Sequence, residues 1–350
     1  MPQIPSSLLR AKVTSSMRGL FIEMLRPTQF LLNYAPDGGT TPSKYIEIEV
    51  QRGTERIAYD IIAGANGHMN TFDKSTQKIF LPPQYEEKHA VTNMDLFDRA
   101  MGSTDIAASA VTAVAQRNAM KMQMCVNQIY RAYEYQMAQA LETATITFQN
   151  AETVNFARNP ALLVAYNTAH NWADNAIDPA VNLASWGTLL RKIGKVSGGV
   201  IDIIFGTDAW LKFTGNTKVR ERADVRRIEQ ERIVAPTFNM DGAMFHGIYS
   251  DGLHNYRLFT YDQWFMDKND VLQPYINPKK IYMIAPGTHA TVEYAGVPQL
   301  VDETRPLEFG KFRFSDYIDE EKQAHMYRVQ SAGLVVMNMV DKFLTAQVLS

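Results

Sequence analysis

The sequence predicts an α+β chain built from one long spine helix, a compact α/β domain, an extended β-loop and an N-terminal arm. Three observations carry that prediction. Between Gly102 and Pro160 the chain has neither glycine nor proline, and its apolar residues recur at helical spacing. From Tyr45 to Gln51, apolar Ile46, Ile48 and Val50 alternate with Glu47, Glu49 and Gln51, the pattern of a half-exposed strand. Between residues 178 and 205 a helical pattern, a Gly-Gly pair and an almost wholly apolar run follow one another, which marks an α/β unit.

Composition bounds what such a chain can be. Its 350 residues suggest about two domains. With 46% hydrophobic and 21% charged residues, it reads as an ordinary globular chain able to bury a core without staples. The 35 basic and 37 acidic residues nearly cancel, so no global field favours tight nucleic-acid or membrane binding. Such neutrality excludes a DNA-condensing protein but not a DNA container. Cys125 is the only cysteine, which precludes an intrachain disulfide and cysteine-based zinc sites and fits folding in a reducing cytoplasm. Met1–Pro27 lacks the continuous apolar stretch of a signal peptide, and no apolar run approaches the ~20 residues of a spanning helix. The expectation is a protein neither exported nor embedded in a membrane.

The elements follow in order. Residues 1–39 read as an arm, with a short amphipathic helix from Ser15 to Leu25 that Pro27 limits and a turn at Pro36-Asp37-Gly38-Gly39. Residues 40–84 read as an extended loop. The strand at 45–51 takes Arg56–Ile62 as its expected partner, with a tip around Gly64 and Gly67 and a return through Lys78–Leu81 to Pro82-Pro83. A lone hairpin is marginal in water, so this loop needs another surface to rest on. In residues 85–164 a spine helix is expected over about 104–142, capped by Ser103 or Thr104, with Val111, Val114, Met122, Cys125, Ile129, Tyr133, Met137 and Leu141 on one stripe and Asn118 as its polar break. It would be ~58 Å long, and the lack of strict heptads favours a spine over a coiled coil. A β-hairpin follows, with Thr143–Phe148 returning through Glu152–Phe156. Residues 165–290 form the α/β domain: a helix opening at Asp178-Pro179, Gly198-Gly199, the strand Val200–Phe205, a helix from Asp208 and the strand Lys280–Ile284. Residues 291–350 add the strand Thr291–Tyr294 and a β-rich end from Met326 to Val348.

No motif points to chemistry. The histidines, His68, His89, His170, His246, His254, His289 and His325, show no tight ligand spacing, and the glycines form neither a P-loop, a dinucleotide fingerprint nor a nucleophile elbow. Cys125 lies on the apolar stripe and reads as a structural thiol. We therefore assign no catalytic, cofactor-binding or metal-ligating residue. Two candidate contact sites stand out instead. Ile46, Ile48 and Val50 face either a neighbouring subunit or a sheet of their own chain, and Glu47, Glu49, Arg52 and Arg56 beside them suit charge pairs that set register. A run from Lys218 to Arg232 carries Lys218, Arg220, Arg222, Arg226, Arg227 and Arg232 against Glu221, Asp224, Glu229 and Glu231. Its small positive excess suits a solvated or inter-subunit surface better than a nucleic-acid patch.

This order of parts resembles the tailed-phage major capsid proteins, specifically the lambda-like major capsid E family. The stretch DPAVNLASWGTLLRKIGKVSGGVIDIIFGTDAWLKFTGNTKVRERAD, residues 178–224, carries most of the likeness. It combines a helix rich in Leu and basic residues, the glycine turn, the apolar strand, Gly206/Asp208/Trp210 and the Lys218–Arg222 run. Leu81-Pro82-Pro83-Gln84-Tyr85 before the spine, the hairpin after it and Tyr327–Met337 add to it. The resemblance implies the Hong Kong 97 capsid fold: a peripheral domain at 85–164 and 291–350, an axial domain at 165–290, an extended loop at 40–84 seated on a neighbour, and an arm at 1–39. It also implies a non-enzymatic subunit of pentamers and hexamers in an icosahedral virion shell around double-stranded DNA, with no cofactor and no sequence-specific DNA binding. Assembly in the bacterial cytoplasm with scaffolding protein, portal and a decoration protein is implied in the same way. The alternatives are an encapsulin-type cellular compartment of the same fold and an α/β enzyme without a recognisable motif.

Overall fold

The structure, a computed structural model, describes residues 29–50, 76–92, 108–148, 152–196, 198–224, 231–238, 242–298, 307–308, 310–319, 321 and 324–350. The spine helix, α1, spans Ala108–Thr143, about 54 Å at 1.5 Å per residue. Met122, Cys125, Ile129, Tyr133, Met137 and Leu141 are buried along it, the stripe that the spacing predicts. Residues 103–107, where a cap is expected, lie outside the described residues. The helix stops where Ala144 turns left-handed, at φ 55°, and the chain enters the hairpin Thr145–Thr147/Thr153–Asn155. Buried Ile146 and Val154 face each other there, so the hairpin continues the apolar stripe beyond the helix.

A seven-stranded mixed sheet forms the second body. Its order is Leu163–Val164, Phe343–Gln347, Lys280–Ile284, Val200–Phe205, Asn255–Tyr261, Ala243–Ser250 and Glu231–Phe238. Alternation along its strands assigns the two faces. Ile201, Ile203, Phe205 and Leu258 pack with Trp172 and with helices α2 (Pro179–Gly194), α3 (Thr207–Gly215) and α4 (Thr217–Asp224). Ile204, Phe259, Tyr261 and Tyr282 join the cluster that contains the spine. A sheet covered on both faces has little use for polar side chains, which is why Val200–Phe205 reads as an apolar run.

The turns into this unit explain the glycines of the sequence pattern. Gly198 and Gly199 sit at φ 124° and 99°, backbone that side chains with a Cβ rarely adopt. Gly206 lies against the carbonyls of Asn277 and Pro278, leaving no room for a Cβ. Asp208 stands in the first turn of α3, where the helix dipole favours an acid. Trp210 stacks on His246 at 4.0 Å between ring centroids.

Smaller sheets complete the fold. Tyr85–Thr92, Ala324–Ser331 and Arg313–Asp319 form an antiparallel sheet beside the spine, and in a mixed sheet Ala290–Tyr294 pairs parallel with Asp37–Thr40 and antiparallel with Gly333–Met337. Tyr133 on the spine donates its hydroxyl to Ser331 at 2.7 Å and crosses Gly333 so closely that any side chain there would strike its ring.

Residues 29–39, read as the end of the arm, contribute to the core: Phe30, Leu31, Leu32 and Ala35 are buried, and Asp37–Thr40 is a strand. Ile46–Val50 pairs with Thr76–Phe80; its expected partner, Arg56–Ile62, lies outside the described residues. The strand Phe343–Gln347 stands apart from its neighbours in the sequence. It pairs with Lys280–Ile284 inside the seven-stranded sheet, because its apolar residues suit a strand covered on both faces.

Candidate assembly surfaces

The extended loop leaves the body as a ribbon in which Ile46 pairs with Phe80, Glu47 with Ile79, Ile48 with Lys78, Glu49 with Gln77 and Val50 with Thr76. Its base is fixed by Gly296 N–H donating to Ser43 and Thr41 N–H donating to Tyr294, at 2.9 and 2.8 Å. Ile46 is 2% exposed and belongs to the main core of its own chain, so the intrachain alternative holds for it and it is not a contact with a neighbour. The outward face at this register shows Glu47 and, across from it, Ile79 at 60% exposure, with Tyr45 and Leu81 exposed nearby. Ile48, Glu49 and Val50 are described as backbone, while Arg52 and Arg56 lie outside the described residues. Sequence reasoning missed Ile79 because the chain around it, Lys78–Leu81, alternates over too short a stretch to reveal its face.

The charged run begins as α4. Asn216, buried, accepts from Lys218 N–H at 3.0 Å and donates its amide to Ile177, while Lys218 Nζ donates to the Ala176 carbonyl. Val219 packs inward, and Arg220 and Glu221 are exposed. Arg222 is described as helix backbone only; Arg226 and Arg227 lie outside the described residues. Lys218 is thus tethered to its own chain, and Arg220 is the cation of this run that the structure places on the surface.

The structure also holds a buried polar junction that sequence reasoning did not single out. Glu134, fully buried on the spine, accepts from Leu31 N–H at 2.9 Å, Leu32 N–H at 3.0 Å and the Tyr261 hydroxyl at 2.7 Å. One carboxylate thereby ties the N-terminal segment, the spine and the seven-stranded sheet. Phe30 packs edge-on to Tyr34 and tilted against Phe259 and Tyr261. Tyr34 donates to Asp202, which also receives a bidentate Arg257 at 2.5 and 2.7 Å. Burial and the neighbouring Asp202 push the Tyr34 phenol well above its usual range. At the far end of the spine, buried Arg158 donates to the carbonyls of Ala140 and Leu141, placing a cation where the helix dipole is negative. Burial lowers its pKa to about 10. The signal for Glu134 was present: an acid flanked by Tyr130, Tyr133 and Met137 at helical spacing lies on the inward stripe.

Chemistry is sparse. Cys125 is buried and burial pushes its thiol up, away from reactivity. Among the described residues no group of His, Cys, Asp and Glu is placed to hold a metal.

Comparisons with known proteins bear on these surfaces. The sequence model of the family described as phage major capsid protein E matches residues 22–348. No curated protein sequence matches the chain. Among solved structures, a protein assigned as the capsid protein of a prophage of E. coli CFT073 aligns with a TM-score of 0.66 at 13% identity, covering 96% of this chain and 98% of its own. A phage-related protein from Bordetella bronchiseptica RB50 aligns at 0.51 and 12% identity, covering 95% and 96%. The capsid structure of cyanophage P-SCSP1u aligns at 0.51 and 11% identity, covering 93% and 89%. At these identities the likeness is one of fold, that of Hong Kong 97-like capsid subunits.

Proposed function

The chain belongs to the phage major capsid protein E family, and on that footing we propose how its surfaces build a shell. It is a shell-forming capsid protein, a structural subunit whose work is self-association. The match across residues 22–348 carries this conclusion, and the fold likeness over nearly the full chain supports it.

Beyond the family assignment, our reading is that five or six copies close into pentamers and hexamers, and that these tile an icosahedral virion shell around double-stranded DNA. One heterologous contact, repeated with slight variation, closes rings, and many weak contacts acting together stabilise the whole. Near-neutral charge suits a container, since a strongly basic lining would hold the packed DNA. The proposed division of labour is an axial domain at 165–290, a peripheral domain at 85–164 and 291–350 that lends its last strand to the axial sheet, and a loop at 40–84 reaching a neighbour. In that seat Ile48 and Val50 on one face of the ribbon and Ile79 on the other supply apolar contact, while Glu47, Glu49, Arg52 and Arg56 set register. We further propose assembly in the bacterial cytoplasm with a scaffolding protein and a portal, an outer decoration protein, and no enzymatic activity.

Negative-stain electron microscopy with sedimentation velocity, across concentration and salt, tests the reading. Uniform rings, shells or tubes are expected. A compact monomer under every condition, including co-expression with the cognate scaffold, would overturn it. Within that assay, Ile79→Asp and Ile48→Asp should each leave a folded monomer by circular dichroism and abolish shells.

A further inference from the structure

Between Tyr261 and Tyr275 the chain makes a short hairpin, Trp264–Met266 against Leu272–Pro274, with Trp264 opposite Pro274 and Met266 opposite Leu272. Its inner face is anchored: the Phe265 ring packs on Tyr135 of the spine at 4.6 Å and on Tyr275 at 5.0 Å. Its turn is built firmly, with Asp267 accepting from Asn269 and Val271 N–H at 2.8 and 3.0 Å and Asp270 left-handed at φ 57°. The Trp264 indole is held by Asp262 at 2.9 Å. The outer face is nevertheless apolar and open: Trp264 is 54% exposed, Met266 60%, Val271 51% and Leu272 60%. Around these lie Asp262, Asp267 and Asp270 against the single cation Lys268. A rigid apolar face with an acidic rim marks a contact surface.

The complementary surface lies across the same sheet. Phe265 and Tyr275 belong with the cluster on the spine side, whereas α3 and α4 cover the opposite face. On that side Leu211 stands 66% exposed, with Lys212 beside it and Arg220 exposed on the next helix, while the exposed acids among the described side chains of these helices are Asp208, a turn before Lys212, and Glu221, next to Arg220. A head-to-tail ring requires two different, complementary patches on opposite sides of each subunit, and this chain presents such a pair.

We propose that the outer face of the Trp264–Pro274 hairpin of one copy docks on the Leu211–Lys212–Arg220 surface of the next copy in the ring. Trp264, Met266 and Leu272 cover Leu211, and Asp262 and Asp270 meet Lys212 and Arg220. This inference rests on the shell-forming reading and assigns one of its contacts to residues. It also gives the charged run a role confined to its helical start.

Two variants, Trp264→Glu and Leu211→Asp, each spoil one patch and leave the other intact. Both change exposed side chains, and circular dichroism checks their folds. Each alone should lose the assemblies that wild-type protein forms. Mixed, they should yield a one-to-one heterodimer by sedimentation velocity at the concentrations where wild type associates, because only one productive pairing remains and it cannot extend. A second pair, Asp270→Lys with Lys212→Glu, should each weaken assembly and restore it when combined in one chain. Shells formed by either single spoiled variant at wild-type yield, or a mixture that stays monomeric, would overturn the docking proposal while leaving the capsid reading intact. Absence of assembly by wild type itself would instead strike the capsid reading.

Discussion

Glu134 shows what one side chain decides. Its carboxylate receives two backbone N–H groups and a phenol with no exposure to water, and each donor stranded by its removal costs about 1–3 kcal/mol. Glu134→Ala should therefore lower unfolding free energy by about 3 kcal/mol or more, read from urea denaturation. Glu134→Gln keeps the shape but turns an amide N–H toward one donor, so it should lose less and should expose the Phe30–Tyr34 segment to limited proteolysis. A titration effect belongs at the same scale. Burial lowers the pKa of His246, His254 and His289 below the ordinary 6.5. The unfolded chain then binds protons that the folded chain refuses, so these residues contribute stability above about pH 6.5 that is lost as pH falls toward their depressed values. The melting temperature should drop between pH 7.5 and 5, and the drop should shrink in His246→Asn/His254→Asn. Helical spacing could place Glu134 on the inward stripe but not name its donors, and sequence pattern could not weigh the histidines at all: only the packing of Trp210 on His246 reveals its surroundings.

Among the elements, those specified by their own residues were legible. The spine is continuous because nothing between Gly102 and Pro160 interrupts it, and the Val200–Phe205 strand announced itself by being apolar on both faces. What stayed hidden was pairing. Alternation in Ile46–Val50 says that a strand has two faces but not which segment lies alongside, and the pairing with Thr76–Phe80, some thirty residues on, left no mark in the pattern. The same limit concealed the Trp264–Pro274 hairpin, whose strands are too short for a period to show. The glycines offer a test of the element boundaries. Gly206 starts α3 with its α-carbon against two carbonyls, so Gly206→Ala should push Asn277-Pro278 aside and cost about 1–3 kcal/mol. Gly215→Ala, at the open end of the same helix with nothing near its α-carbon, should change stability far less. Thermal melts of the two side by side separate steric conflict from helix propensity.

At the scale of the molecule, the resemblance carried by residues 178–224 points to the fold observed, while Ile46 of the loop's apolar face takes the intrachain alternative. Ile46, the first residue of the apolar face, turns into its own core, and the exposed side of the ribbon at that register carries Glu47 and Ile79. The reason is physical: apolar alternation marks the buried side of a strand and is silent on whether the burying surface belongs to the same chain. Assembly variants therefore belong on Ile79 as much as on Ile48. The strand Phe343–Gln347 has a different consequence. It lies between Leu163–Val164 and Lys280–Ile284, so the seven-stranded sheet has an empty lane until this strand is in place. A chain cut short by premature termination or nicking would present two raw strand edges instead of a finished subunit. Closure of the sheet thus depends on a strand far along the chain from the Leu163–Val164 strand beside it, and a copy without that strand would be open to edge-to-edge aggregation.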